Sequence, residues 1–489
     1  MEELKSTNYS FMMKNKNLFA VFIVQAIVCT TAVSQNGTER FSLKQCVEAA
    51  LANNLSIRQT ALQVETAETN LQQAKANKLP NLNGSIDYGF SQGRTVNPQT
   101  NGYINQQLTS SNTGLSSGVT LFNGMRLQNI IKQNSYNWDA AKMDWQQAKD
   151  NLILNVILAY LQVLNSEDVL EIAANQLNVT KKQIERTAIL VKEGAAANYV
   201  LADFKAQQAN EEINLINLKA TAGQSKFSLC QLMNNEPDNK LQLERINLEQ
   251  FLVLYPSGPK EVYEIALKGL AQVKAEEFKI QSAEKTVTVA KSASIPLLRL
   301  NGSLGSNYSS LGKALTPTTI TEVSTGNYVK ISGTPNPVLT LQQNYSSAKT
   351  GYVRQLNNNL GTFIGLSLQI PLFNNNQTKN NIRLANTALK NNRLEADNTK
   401  AQLRQDIELA YLNCTSAFEK YLVLKEQISN IEESFRAAEI RFANGVINTT
   451  EYLTVKNNLD RVKINLTQMK YEYIFRAKIL DFYQGQLTY

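Results

Sequence analysis

The sequence consists of two similar copies of one pattern, and this duplication constrains the fold more than any other feature. Residues 50–80 align with residues 266–296 without a gap. Further along, the register changes once and then holds over three matched pairs: Phe122 with Phe373, Tyr160 with Tyr411, and Gly194 with Gly445. A duplicated chain of this size favours a pseudo-symmetric assembly over a single catalytic pocket.

The composition argues against several classes of function. The 489 residues include no His, which removes the commonest general base and the commonest metal ligand. We therefore predict no catalytic, cofactor-binding or metal-binding residues. The net charge of +8 comes from Lys and Arg spread among Asp and Glu, without a dense basic run, so nucleic acid is not an expected partner.

The N-terminus is typical of a secretory signal peptide, which we assign to residues 1–34. Lys14 and Lys16 precede an apolar stretch at residues 18–28 that is too short to span a bilayer. A small-x-small cleavage site follows and ends at Ser34. The mature chain is therefore expected to be exported.

The cysteines are predicted to be structural. Cys29 leaves lipidation open as an alternative, although Val28 is a poor residue before a lipoprotein cleavage site. Cys46, Cys230 and Cys414 would remain after cleavage at Ser34, and an odd number at wide spacing is not a disulfide framework. Two of the three fall on apolar helical seams, where Cys acts as a small hydrophobe.

Each copy contains a very long helix followed by a returning one. In the second copy, apolar residues alternate at spacings of four and three from residue 403 to residue 442, and no Pro or Gly occurs from 374 to 444. This heptad pattern predicts a coiled-coil helix of about 105 Å. Gly445 is expected to end it and Gly194 to end its counterpart in the first copy.

Between the helices, each copy has two segments whose apolar residues alternate with a period of two. The segments begin after Pro80, near Leu115, near Leu298 and at Leu360, and each has the length of a tilted membrane-spanning strand. A water-soluble sandwich edge is the alternative. Four strands cannot close a barrel, and open edges are not tolerated in lipid, so several chains would have to share one barrel.

The sequence divides into a first structural repeat (residues 35–234), a linker (residues 235–259) and a second repeat (residues 260–489). The linker contains three Pro and cannot continue either long helix. The loops between strands, at residues 93–113 and 310–358, are polar, and the second is expected to be mobile and external.

The ordered set of these motifs resembles the TolC family of outer-membrane efflux proteins. The resemblance depends on motifs that occur in both copies. They are Ala50-Leu51 near the start of the repeat, Leu79-Pro80 at the end of its helix, Phe122-Asn123-Gly124 with Phe373-Asn374, and the turns at Gly194 and Gly445. The resemblance implies a mostly α fold with a membrane β-barrel portion. Duplicated long α-hairpins would form a trimeric α-barrel in the periplasm, joined to a shared 12-stranded β-barrel with four strands per chain.

The resemblance also implies a gate at the helical tips. It places Phe442 at an aromatic position and Glu451 at an acidic position of that gate, whereas Ile447 and Thr454 replace a basic and an acidic residue. A ring of three Glu451 side chains would favour cations. The alternatives are an ordinary exposed Glu near a helix N-terminus and core packing of Phe442. The turns at Gly194 and Gly445 would contact a periplasmic adaptor.

The predicted function is therefore a passive outer-membrane channel of a tripartite efflux or secretion system. Its expected partners are two further copies of the chain in a homotrimer, a periplasmic adaptor, an inner-membrane transporter that supplies energy, and outer-membrane lipid. The main alternative is a secreted structural or adhesive coiled-coil protein without channel activity. A carboxylate-based hydrolase acting on glycans is a third hypothesis, which the lack of a compact pocket pattern disfavours.

Overall fold

The structure is a computed structural model that describes residues 40–96, 101–236 and 241–487. The predicted signal peptide at residues 1–34 and the possible lipidation of Cys29 lie outside the described residues, and both stay predictions.

The two copies share the order helix pair, strands, long helix. In the first, the elements are α1 (Leu43–Asn53), α2 (Leu55–Ala76), β1 (Asn81–Ser91), β2 (Arg94–Val96), β3 (Tyr103–Asn105), β4 (Leu108–Phe122), α3 (Arg126–Lys192) and α4 (Asn198–Met233). In the second, they are α5 (Pro259–Gly269), α6 (Ala271–Ser292), β5 (Leu297–Ser309), β6 (Lys313–Ile331), β7 (Thr334–Lys349), α7 (Tyr352–Asn358), β8 (Gly361–Gln369), α8 (Gln377–Ala443) and α9 (Thr449–Tyr483).

The two long helices predicted from the heptad pattern are present. Helices α3 and α8 each contain 67 residues, which corresponds to about 100 Å. Each begins after a residue in the left-handed region, Met125 or Asn376. By length and composition α3 could cross a membrane, but 56% of its most apolar window is buried inside the protein. That window packs against other helices of the chain.

Four strands form one antiparallel sheet in the order β1–β4–β5–β8, so the central pair joins the two copies. The register gives the sheet one apolar and one polar face. The apolar face carries Leu82, Ile86, Tyr88, Phe90, Leu115, Val119, Leu300, Leu304, Ile364, Leu366 and Leu368. The polar face carries Asn81, Asn83, Ser85, Asp87, Ser116, Asn301, Ser303 and Ser367.

An irregularity at the end of β4 brings Phe122 onto the apolar face. The pairing of β4 with β5 shifts between Thr120 and Phe122, so that Phe122 lies opposite Leu298. A one-residue shift reverses the face on which a side chain lies. Phe122 thus joins the apolar band at the helix-proximal end of the sheet, whereas the alternation predicted from the sequence through Leu115 and Val119 would place Leu121 there.

The prediction that residues 310–358 form a loop between strands was wrong, because the segment contains two further strands and a short helix. Strands β6 and β7 pair along a long antiparallel ribbon, and α7 follows them. Ser332 and Gly333 connect the strands, both with positive φ (53° and 89°), the combination that suits a two-residue hairpin turn. The many Thr, Val, Ile and Tyr residues of the segment favour strands. Its polar composition, which is typical of loops, hid this preference.

The main hydrophobic core lies where both helix pairs and the linker meet. Tyr160 on α3 is fully buried, and its hydroxyl donates to the carbonyl oxygens of Phe41 (3.1 Å) and Glu244 (2.7 Å). This ties the start of the chain and the linker to the long helix. Here the remaining cysteines are buried and form no disulfide, as predicted: Cys46, Cys230 and Cys414. Burial raises the pKa of Cys46 and of Cys414 to about 12.

Candidate functional site at the hairpin tips

The two helical hairpins, α3–α4 and α8–α9, turn at the glycines that the sequence singled out. Gly194 and Gly445 have φ of 71° and 70°. In both turns the amide of the next residue donates to a carbonyl in the last turn of the long helix: Ala195 to Leu190 (2.8 Å) and Val446 to Arg441 (2.9 Å). This is a left-handed C-terminal cap. A Cβ added to either glycine would meet nothing within 4 Å, so both turns present open surface.

Phe442 packs inside an aromatic cluster at the tip of the second hairpin. Its ring stacks on Tyr452 with a centroid distance of 4.7 Å and meets the edge of Phe204 at 5.8 Å. Phe204 and Tyr452 are both buried. Because Phe204 belongs to α4, the cluster joins the tips of the two hairpins. Neither Phe204 nor Tyr452 was among the predicted site residues, although an aromatic residue near the start of each returning helix was a usable signal.

Glu451 lies in the first turn of α9. Its backbone amide donates to Oδ1 of the N-cap residue Asn448 at 2.8 Å. The carboxylate is 51% exposed and lies 3.8 Å from the Arg441 guanidinium of α8. Arg441 was not among the residues predicted for the gate. In this conformation the proposed gate carboxylate is thus partly neutralised by a basic residue of its own hairpin, at a separation typical of weak surface pairs.

The two departures from the family gate pattern have different surroundings. Ile447 is buried in the aromatic cluster, so an apolar residue there contributes to the core of the tip. Thr454 is exposed, and its hydroxyl donates to the Thr450 carbonyl one turn earlier in α9 (2.8 Å). Glu451 and Phe442 both lie at the tip of the α8–α9 hairpin, whereas Gly194 lies in the turn of the α3–α4 hairpin.

A buried ionic network connects the hairpins next to the aromatic cluster. The Lys456 side chain on α9 is only 4% exposed, and its Nζ lies 2.8 Å from Glu211 Oε1 on α4 and 2.8 Å from Asp460 Oδ2. Glu211 Oε1 also accepts from Thr180 Oγ1 (3.0 Å) and Gln207 Nε2 (2.8 Å). Burial raises the pKa of Asp460, and the Lys456 charge opposes that rise. The i,i+4 pair of Lys456 and Asp460 was the available sequence signal.

Further polar contacts cross between the hairpins at the same level. Gln207 Nε2 donates to Asn457 Oδ1 (2.9 Å), and Gln176 Nε2 donates to the Asp460 carbonyl (3.4 Å). A cavity of about 310 Å³ adjoins these contacts and is lined mainly by Gln, Asn and charged side chains. The inner surface between the tips is therefore polar and held by specific pairs.

Comparison with known proteins identifies the family. The sequence profile of the outer membrane efflux protein family matches residues 46–235 and 262–485. The chain belongs to this family. It is similar to the outer membrane protein TolC of Salmonella enteritidis, with 21% identity over 477 residues covering 97% of this chain and 87% of the relative. The Escherichia coli K12 protein of the same name is 20% identical, covering 88% and 80%.

Solved structures show the same fold. A membrane protein from Pseudomonas aeruginosa matches with a TM-score of 0.72 at 16% identity, covering 91% of this chain and 92% of that one. The CmeC outer membrane channel of Campylobacter jejuni also matches with a TM-score of 0.72, at 17% identity, covering 91% and 86%. The mostly α fold with long hairpins and a β-barrel portion is thereby confirmed.

Membership of the outer membrane efflux family also confirms the predicted location in the outer membrane. The family is one of membrane channels and not of enzymes. In membrane β-barrels the apolar face of the strands is the one that contacts lipid, and the four-stranded sheet has such a face. The roles of Glu451, Phe442, Gly194 and Gly445 are not decided by these likenesses and stay proposals.

Proposed function

We propose that three copies of this chain form a passive export duct of a tripartite efflux or secretion system. The open edges of the four-stranded sheet are the observation that supports this trimer. Strands β1 and β8 are its edges, and their outward backbone groups have no strand partner within the described part of the chain. Unpaired backbone groups cannot remain in lipid, and three four-stranded sheets would close one 12-stranded barrel without edges.

The helical hairpins would continue this duct into the periplasm. The long helices leave the sheet at one end, after β4 and β8, and extend for about 100 Å before the tips. The exposed turns at Gly194 and Gly445 are the surfaces that a periplasmic adaptor would engage. The chain would supply the conduit, and an inner-membrane transporter would supply the energy.

The gate would lie at the second hairpin. Three Glu451 carboxylates brought near one axis would repel one another and attract cations. Arg441 lies close enough to lower that field in the closed arrangement. Opening would separate the α8–α9 tip from the α3–α4 tip, which are joined by the Phe204–Phe442–Tyr452 cluster and the Lys456 network.

A reversible cross-link between the hairpins tests this proposal. Gln207→Cys with Asn457→Cys places thiols at a contact between the hairpins. Lys181→Cys with Glu212→Cys places them at a contact within the first hairpin, where the side chains lie 3.6 Å apart. A short reducible thiol cross-linker should block export of a fluorescent dye from cells only for the first pair, and a reductant should restore it. Equal export by both cross-linked proteins would contradict the proposal.

A further inference from the structure

The four segments that join the sheet to the helices are strongly basic. They are residues 69–86, 120–138, 285–299 and 368–394, and none of them contains Asp or Glu. Together they carry eleven basic residues: Lys75, Lys78, Arg126, Lys132, Lys285, Lys291, Arg299, Lys379, Arg383, Lys390 and Arg393. We call this set the junction belt. A field of one sign at one level of a fold attracts ligands of the opposite charge.

Acidic residues from elsewhere in the chain leave most of the junction belt without a partner. Arg393 pairs with Glu284, which lies just outside the belt, at 3.0 Å. In the part of the chain that the structure describes, no other residue of the belt forms a salt bridge. The other positive charges of the belt are therefore available to an anion from outside the chain.

Two of these charges meet at a cavity of about 380 Å³ on the polar face of the sheet. Arg299 of β5 lies opposite Thr120 of β4 on that face, and Arg126 is the first residue of α3. Both arginines line the cavity together with uncharged residues such as Asn123 and Gln369, and no described carboxylate lines it. A cavity of this size is in the range of small-ligand sites.

The guanidinium of Arg299 lies over the backbone of β4. A Cβ added to Gly118 would lie 3.6 Å from Arg299 Nη2, so the missing side chain leaves room for the guanidinium. Among the described residues, this guanidinium has no hydrogen-bond partner. The fork of N–H donors in an arginine matches the oxygens of a carboxylate or a phosphate, so the unused donors suit such a group.

Arg126 follows a tightly packed turn. Gly124, two residues earlier, has φ of 63°, and a Cβ on it would lie only 2.7 Å from the Ile295 side chain. Ser292 Oγ donates to the Gly124 carbonyl oxygen at 3.0 Å. The start of α3 is thus fixed against the end of α6, and the cavity between them is formed before a ligand binds, which lowers the cost of binding.

The duplicated sequence provides an internal comparison for the two arginines. Gln377 stands in the second copy where Arg126 stands in the first, and each is the first residue of a 67-residue helix. Asn83 stands in the first copy where Arg299 stands in the second, and each is the third residue of its strand on the polar face. The same junction therefore forms with neutral side chains, so the fold does not require the arginines.

The cavity would open into the duct of the proposed trimer, and the inference therefore rests on the proposed function. In a closed membrane barrel the polar face of the strands lines the interior. Strands β4 and β5 are central in the sheet, so association through β1 and β8 would leave the cavity uncovered. About 100 Å of helix separates it from the tip with Glu451. Because salt screens charges over about 8 Å, the two sites would act independently.

We infer that Arg126 and Arg299 form an anion-binding site inside the duct, one in each chain, for the carboxylate or phosphate group of an exported molecule. The arginines supply paired N–H donors, and the rest of the junction belt adds a positive field that draws anions to this level. Three such sites surround the lumen where the helices meet the barrel. The duct then favours cations at the Glu451 tip and anionic groups at the junction.

Block of the single-channel current by tripolyphosphate tests the site. The polyanion is added on the barrel side of a phosphatidylcholine bilayer, so that it reaches the junction before the helical tips. Arg126→Gln with Arg299→Asn introduces the residues of the other copy and should raise the half-blocking concentration at least about tenfold, because two charge-assisted contacts are lost. Lys132→Gln with Arg383→Gln is the control, which removes two charges of the belt outside the cavity and should raise it less than about threefold.

The outcomes separate the site from the proposed function. Wild-type channels that tripolyphosphate does not block, or equal weakening of the block in both double variants, would overturn the site and leave the duct in place. A protein with neither a trimeric native mass nor conductance would overturn the proposed function as well. Loss of the wild-type block in a bilayer containing phosphatidylglycerol would show that a lipid headgroup fills the cavity, and would overturn its assignment to exported molecules.

The reversal potential in a KCl gradient is a second readout. Arg126→Gln with Arg299→Asn should shift it toward greater cation preference, because positive charge is removed from the wall of the duct. Lys132→Gln with Arg383→Gln should shift it less. A reversal potential equal to that of wild type in the arginine variant would contradict the site.

Discussion

Replacing Lys456 by Met should loosen the contact between the two hairpins. The substitution keeps most of the apolar stem but removes the ammonium that lies between Glu211 and Asp460. Glu211 keeps its bonds from Thr180 and Gln207. Both carboxylates lose the compensating ammonium charge. Because Asp460 keeps no such pair of donors and its pKa is already raised by burial, we expect it to be the group that takes up a proton.

The size of the effect follows from the protonation of Asp460. Removing one partner of a buried pair costs about 3–5 kcal/mol. The loss of stability cannot exceed the free energy needed to protonate the Asp460 carboxyl, because the protonated group no longer needs a charged partner. For a carboxyl with the ordinary pKa of 3.8, protonation costs about 4 kcal/mol at about pH 7 and about 1.6 kcal/mol at about pH 5. We expect a loss of about 3–4 kcal/mol at neutral pH.

The sign of the pH dependence follows from linkage. Burial already raises the pKa of Asp460 in the folded protein, and loss of Lys456 raises it further. A carboxyl with a raised folded-state pKa favours the folded state most below its unfolded pKa, and this contribution is lost as the pH rises through the folded-state pKa. The Lys456→Met variant should therefore recover stability on acidification.

Hydrogen exchange of the tip amides measures this effect. A loss of 3–4 kcal/mol corresponds to exchange about 150- to 900-fold faster in α4 and α9 at neutral pH, and about 15-fold faster at about pH 5. Lys181→Met is the control, because Lys181 forms a half-exposed pair with Glu212 at 3.6 Å and should change exchange less than about fivefold. Exchange in Lys456→Met within threefold of wild type at neutral pH would refute the reasoning.

Three further predictions concern the tip residues. Glu451→Gln should lower cation preference, measured as a smaller reversal potential in a salt gradient, while Glu432→Gln should not; equal selectivity of wild type and Glu451→Gln would refute the gate role. Gly445→Ala should destabilise the tip by about 1 kcal/mol because φ is 70°, whereas Gly223→Ala within α4 should stabilise by up to about 1 kcal/mol, and hydrogen exchange reports both. Phe442→Ala should cost about 1–3 kcal/mol by exposing Tyr452, and an unchanged exchange rate would contradict its packing.

The parts of the fold that could be predicted are those with a long, regular pattern. The heptad seam ending at Phe442 predicts a helix to residue 444, and α8 ends at Ala443. The period-two segments predict the four strands of the sheet. Both patterns repeat in each copy, so a chance match in one would not recur at the matched place in the other.

The ribbon could not be predicted because its strands are mixed in composition. Pro317, Pro335 and Pro337 normally argue against strands, and the irregular pairings in β6 break the alternation along its sequence. Only the register reveals that Ile320 and Leu341 share a face. The tip network escaped prediction for a related reason: Lys456 and Glu211 are far apart in sequence, and the fold brings them together.

The central claim is that three chains form one gated duct in the outer membrane. The most direct test is single-channel conductance of the detergent-purified protein in a planar bilayer, with native mass measured on the same sample. The account predicts a trimer with small, discrete and mostly closed conductance. A detergent-independent species with no conductance would contradict it.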